Sequence, residues 1–172
     1  MTEFTTDVVA APERSALWEE ATARSHMRNR LRSNDQDDFR AKIRGVDLGE
    51  LQVSALAYPH LEIVRTAKHI RQSDPAAYQI NYLLRREGVL SLNRNDTALR
   101  TSDLVVLDSS RPYRGDVRAG PGTWSHVTVQ VPRGLLPLPE KTVQHLLGVP
   151  ISGSCGMGGV CPLADRPQRA RR

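Results

Sequence analysis

The residues best equipped for chemistry in this 172-residue sequence are five histidines, two cysteines and one polar run that follows an apolar segment. The run is Asp108-Ser109-Ser110-Arg111-Pro112-Tyr113, placed directly after Leu104-Val105-Val106-Leu107. A serine becomes a nucleophile only beside a base. His126 is the available base, from a neighbouring strand, but there is no Gly-x-Ser-x-Gly elbow to present the serine. The plainer expectation is a structural corner. Asp108 and the serines fold back onto backbone N–H groups as Asx and Ser turns. Arg111, stiffened by Pro112, offers its fork to Asp108 or to a carboxylate on a facing strand. Cys155 and Cys161 stand six apart, which suits neither a disulfide framework nor a four-ligand zinc site. The stretch from Gly153 to Gly159 is glycine-rich but lacks the Lys-Ser/Thr pair of a phosphate loop. No catalytic residue is assigned, and an enzyme is not expected.

The charge pattern reads as a solvated surface with a basic tail rather than a basic stripe, which leaves a basic-tail nucleic-acid binder as a third reading. The net charge is +5, and lysine occurs only at positions 42, 68 and 141, so arginine carries nearly all of the positive charge. Arg166, Arg169, Arg171 and Arg172 crowd the C-terminus. The other arginines are interspersed with acids such as Asp35, Asp37 and Asp38. A basic tail of this kind gives weak, salt-sensitive and sequence-blind binding. The N-terminus has neither a basic start nor an apolar stretch of secretory type. No apolar run approaches the roughly 18 residues of a membrane span. A cytoplasmic protein is expected, in a reducing compartment where two cysteines are incidental.

The elements that would position these residues are mostly strands. A helix is predicted from Pro12 to Leu31, with Leu17, Trp18 and Ala21 facing a core. After the polar break Ser33 to Asp38, Phe39, Ala41 and Ile43 alternate with Arg40, Lys42 and Arg44, the period of a half-buried strand. Leu51, Val53 and Ala55 then alternate with Gln52 and Ser54. A weaker strand is read in "HLEIVRTA" and a loop in "QSDPAAY". Further short strands follow in "YQINYLL", "VLSL", "TALR", "LVVLD" and "TWSHVTVQV", with "RGDVRAGPG" as a connection. Such closely spaced strands indicate a sandwich or barrel. Within "YQINYLL", either Ile80, Tyr82 and Leu84 or Gln79, Asn81 and Leu83 face inward. In the last strand, Val127, Val129 and Val131 alternate with His126, Thr128 and Gln130. A second helix is predicted from Leu138 to Gly148, with Val143, Leu146 and Leu147 on one face. Residues 1–11 are expected to be disordered, 12–148 to form the domain, and 149–172 to be a disordered Gly/Pro/Arg-rich tail.

In this order, Trp18 on its helix, "DDFRAKIRGVDLGELQVS", "HLEIVRTAKHIRQSDPAAYQINYLLRREG", "LRTSDLVVLDSSRPY" and "VQVPRGLLPLP" resemble the N-terminal, AraC-binding-like domain of AraC/XylS-type transcription regulators. The resemblance runs from about Leu17 to Gly148. It implies a mainly β fold: a cupin-like double-stranded β-helix, or jelly-roll barrel, with flanking N- and C-terminal helices. It also implies a regulatory domain that binds a small-molecule effector and often dimerises; for this chain a homodimer or pairing with full-length relatives is the expectation. Tyr82, Arg111, Tyr113, Trp124 and His126 are the candidate ligand-binding residues. Metal-binding cupins draw two histidines and an acid from one strand pair. No histidine lies between Arg71 and Ser125, so neither a metal nor any other cofactor is expected. In relatives, two helix-turn-helix units follow the domain. The sequence after Gly148 does not resemble them, and the expectation is a regulator truncated by a frameshift or early stop. Such a chain would bind no specific DNA on its own. The alternative is a stand-alone small-molecule-binding cupin or cupin enzyme.

Overall fold

The alternation that begins at Phe39 organises the molecule, because it buries Phe39, Ala41 and Ile43 and turns the charged residues between them outward. In the computed structural model, residues 1–92, 95–118 and 122–153 are described. Their strands are β1 (Thr2–Thr5), β2 (Arg30–Arg32), β3 (Lys42–Asp47), β4 (Gln52–Tyr58), β5 (Leu61–Arg65) and β6 (Ala77–Arg85). These are followed by β7 (Glu87–Leu92), β8 (Asn95–Leu99), β9 (Asp103–Asp108), β10 (Tyr113–Arg118), β11 (Trp124–Pro132) and β12 (Ile151–Ser152). The helices are α1 (Arg14–Ser25), α2 (Ala67–Gln72) and α3 (Glu140–Leu146).

Two antiparallel sheets face each other, with strand orders β1-β3-β4-β11-β6-β9-β12 and β2-β5-β10-β7-β8. From β4 to β7, and again from β9 to β11, the chain crosses between the sheets at each connection. This is the path of a jelly roll, which shelters its apolar faces between two sheets. The mainly β, cupin-like architecture expected from the sequence is what the chain adopts.

Several local expectations are corrected. Residues 1–11 are ordered rather than disordered where β1 pairs with β3, Phe4 opposite Ile43. The Thr6 hydroxyl lies 2.8 Å from the Phe39 carbonyl, and Thr6 is fully buried. The first helix stops at Ser25, well short of Leu31. The Ser25 and Thr22 hydroxyls bond back to the Ala21 and Trp18 carbonyls, a pattern that loosens helices. Arg65 then takes the Arg28 carbonyl at 2.7 Å, and Leu31 enters β2. "RGDVRAGPG", read as a connection, contains most of β10. In β4 the phase is reversed: Ser54, Leu56 and Tyr58 are buried, while Val53 and Ala55 are only half-buried. Of the expected tail, Ile151 and Ser152 pair with Leu104 and Asp103. From residue 154 onward the tail, with both cysteines and the terminal arginines, lies outside the described residues.

The main core gathers Trp18, Phe39, Tyr58, Leu83 and Trp124. Trp18 packs against Tyr58 and Phe39 with ring centroids 5.6 and 6.0 Å apart. A core-facing helix therefore accounts for Trp18. A second apolar cluster, with Tyr78, Val106, Val143 and Leu147, lies where α3 covers the outer face of the larger sheet. Leu146 is only half-buried. Among the described residues, no helix is long and apolar enough to cross a membrane.

Candidate functional site

A cavity of about 130 Å³ opens between the sheets beneath α1. Each wall follows from the period of its strand. From β6 it takes Gln79, Asn81 and Leu83; from β10, Tyr113, Gly115 and Val117; from β11, Trp124, His126 and Thr128. Trp18, Thr22 and His26 close one end from α1 and its C-terminal cap. The register of β6 against β11 shifts between Ser125 and His126, a bulge of the kind that re-aims a side chain. Gly88 makes room for the floor: a Cβ there would stand 3.2 Å from the Trp124 ring and 3.0 Å from the Asp116 carbonyl.

The wall is mostly apolar with a few polar side chains, and it carries no Asp, Glu, Lys or Arg among its described residues. Burial pushes the His26 pKa down to about 4. Burial, followed by the proximity of His26, pushes that of His126 down to about 3. Burial lifts the Tyr113 hydroxyl to about 12, against the opposing pull of Arg65 and a hydrogen bond with Asn29. Burial and Tyr113 also raise that of Tyr58. All four groups are neutral near pH 7. The Trp124 indole N–H donates to Nδ1 of His126 at 3.0 Å, which leaves the proton of that imidazole on Nε2. Ser25 Oγ lies 2.9 Å from the Ala21 carbonyl, which takes its proton, and 2.7 Å from His26 Nδ1. His26 Nδ1 therefore donates to Ser25, and its Nε2 carries the lone pair.

Of the five candidate ligand-binding residues, Tyr113, Trp124 and His126 line the cavity. Tyr82 does not. It lies on the opposite face of β6 from Asn81 and Leu83, in register with Leu104 and Val127. Arg111 does not either. Its Nε is 3.4 Å from Asp108 Oδ2, outside the barrel. Gln79 and Asn81, on one of the two β6 faces left open by the sequence, line the cavity, and residues that sequence reasoning passed over include Tyr58 and Thr128, together with His26 and Asn29 just beyond α1.

The Asp-Ser-Ser-Arg run is a corner. Asp108 Oδ1 accepts from the Ser110 backbone N–H at 2.9 Å, an Asx turn, and also meets Arg133. Ser109 Oγ accepts from the Ala77 N–H at 3.0 Å and donates to Asp74 at 2.8 Å. Its lone pair and proton are thus engaged, and His126 is held by Trp124 instead. Burial opposes the ionisation of Asp74, but hydrogen bonds from Ser110, Ala76 and Ser109 outweigh it and hold the carboxyl below its usual range. Arg111→Ala should cost less than about 1 kcal/mol in urea unfolding, as half-exposed ion pairs do, and should leave binding in the cavity intact. A loss of ligand affinity in that variant would return Arg111 to the candidate ligand-binding residues.

No group of three or more His, Cys, Asp or Glu side chains arranged for a metal ion is present among the described residues.

Comparison with known proteins places this geometry. No curated protein matches the sequence. Among solved structures, the AraC-like transcriptional activator CuxR superposes with a TM-score of 0.65 at 20% identity, over 78% of this chain and 49% of that one. The chain thus spans about half the length of that structure. A cupin protein from Bacteroides fragilis (TM-score 0.41, 17% identity, 58% of this chain and 85% of that one) is a more distant match. The Schizosaccharomyces pombe Cnp3 cupin domain (TM-score 0.43, 9% identity, 70% of this chain and 77% of that one) is another. The sequence profile of the AraC-binding-like domain matches residues 18–160, and the chain accordingly belongs to the AraC-binding-like domain family.

Proposed function

We propose that this chain is the effector-sensing part of a transcription regulator, binding a small molecule inside the barrel without transforming it. The cavity between the sheets, with its neutral, mostly apolar wall, carries this reading, supported by the family match. Barrel interiors and mouths are common small-molecule sites. Binding rather than catalysis fits a wall whose two histidines are held neutral well below pH 6 and that contains no carboxylate. DNA contacts belong to another module or chain: α1 leads into β2, α2 joins β5 to β6, and α3 leads into β12. None of them forms a helix-turn-helix. Pairing with a second copy or a longer relative belongs to the same proposal. The exposed Leu135, Leu138 and Val149 around α3 offer apolar surface for it, and sedimentation velocity over a concentration series is the check.

Gly115 provides the test of the site. It lines the cavity, and a Cβ added there meets nothing within 4 Å. Gly115→Val should fold at least as well as the parent, because glycine in a strand costs roughly 0.5–1 kcal/mol. It should also remove the thermal stabilisation conferred by any effector found in a melting screen. An effector that stabilises parent and variant equally would place the site elsewhere.

A further inference from the structure

Four buried polar atoms on residues of the cavity wall have no hydrogen-bond partner: Trp18 Nε1, His26 Nε2, Asn29 Oδ1 and Thr128 Oγ1. They come from separate parts of the chain, each on a residue that lines the cavity, and each atom is itself almost wholly covered. Buried polar groups are nearly always satisfied, so such a concentration asks for a partner that enters. The set is chemically mixed. The indole N–H is a donor, and the Thr128 hydroxyl both donates and accepts. Asn29 Oδ1 accepts, as does His26 Nε2 given the tautomer fixed by Ser25.

Charge and size narrow the partner further. An anion would be buried without a cation, and a cation without an acid, which is costly in an apolar enclosure. Arg65 is close by, but its guanidinium is consumed by the Ser109, Arg28 and Ser73 carbonyls at 2.6, 2.7 and 2.7 Å. The cavity, at about 130 Å³, is comparable to engineered apolar cavities of about 150 Å³ that admit benzene. The rings of Tyr58, Tyr113 and Trp124 lie in its wall, a surface suited to a flat ring.

We infer that, if the barrel cavity is the effector site, its ligand is a small, uncharged, single-ring molecule that carries both a hydrogen-bond donor and an acceptor. The inference rests on the proposed sensing role and specifies its chemistry.

Trp18 and Trp124 are the two tryptophans of the chain, and both line the cavity. The ¹H–¹⁵N spectrum therefore holds two indole signals, each a direct reporter of the site. The probes are benzamide, phenol, toluene, benzoate and benzylamine, titrated at pH 7.5 into the full chain. Benzamide and phenol should move the Trp18 indole signal in a saturable way and raise the melting temperature. Toluene should bind several-fold more weakly, and the two charged probes should leave both signals in place. Thr128→Val, which removes a hydroxyl without a partner at nearly constant shape, should weaken benzamide several-fold and leave toluene unchanged. Benzoate or benzylamine binding as tightly as benzamide would overturn the ligand class while keeping the site. Toluene matching phenol would overturn the role of the polar wall. Absence of any shift at either indole with all five probes would overturn the inference and the proposed site together.

Discussion

Arg65→Met is expected to be the most damaging single substitution in this domain, lowering stability by about 3–5 kcal/mol. The residue is 1% exposed. Its three guanidinium bonds all go to backbone carbonyls, one each from Ser109, Arg28 and Ser73. These join the corner after β9, the segment that leaves α1, and the end of α2. Burial draws its pKa down, but Tyr113, Asp74 and Asp108 act in the opposite direction. A thioether of similar length keeps the packing and leaves one buried and two part-buried carbonyls without their donors. In a domain of this size the loss corresponds to a fall of roughly 10 °C in Tm. Arg65→Lys should recover little, because one ammonium cannot reproduce the planar fork. Urea unfolding measures the effect, and a loss below about 1 kcal/mol in Arg65→Met would show that water replaces the guanidinium without penalty.

Acid should weaken the fold well before its carboxylates titrate. An unfolded histidine binds its proton near pH 6.5, whereas folded His26 and His126 stay neutral down to about 4 and about 3. Between these limits the unfolded chain holds more protons, so stability falls as pH falls. Each histidine contributes about 2 kcal/mol of that loss at pH 5 relative to neutral pH. Asp74 acts in the same direction but later. Its lowered pKa makes its contribution fully present above the unfolded carboxylate value and lost only in stronger acid. Unfolding free energies at pH 7.5 and pH 5.0 provide the measurement. His126→Gln should remove about half of the difference and His26→Gln the other half. An unchanged difference in both variants would mean that the two imidazoles are solvated through the cavity.

Most strands could be read from the sequence because they obey a period of two, but the faces were harder to assign. On β11 the valines are the apolar set, yet Thr128 and Gln130 are buried with His126 beside them on the inner side. A cavity that takes polar side chains of β11 into its mostly apolar wall locally reverses the usual rule that the apolar face turns inward. The same reversal misplaces β4, where Ser54 belongs to the inner face. It also left two options for β6, of which the Gln79, Asn81 and Leu83 face is the inner one. β10 was hidden by Gly115, which interrupts the otherwise regular series Tyr113, Gly115, Val117. That gap in the side chains is part of the cavity. β1 carries one apolar residue, Phe4, too few to reveal a strand that is fixed by pairing with β3. α2 did have a signal: Thr66 accepts from the His69 N–H, and the His69 ring faces back to the Thr66 N–H, a capping box with histidine in the usual Glu/Gln place. The resemblance to the family supplied the barrel. The identity of its lining depended on register, which a single sequence does not display.

The place of β11 between β4 and β6 sets the timetable of assembly. Gln130 meets Gln52, its partner 78 residues earlier in the chain. During synthesis β3 and β4 leave the ribosome long before β11 exists, and β4 waits with one edge open. Contacts this distant in sequence slow folding into the millisecond-to-second range, and an unpaired edge in that interval invites pairing with other chains. The last long strand to be made closes the sheet and brings Trp124, His126 and Thr128 to the cavity in the same step. A ligand of the cavity would therefore find nothing to bind on the nascent chain, and the proposed sensing could begin only once the barrel has closed.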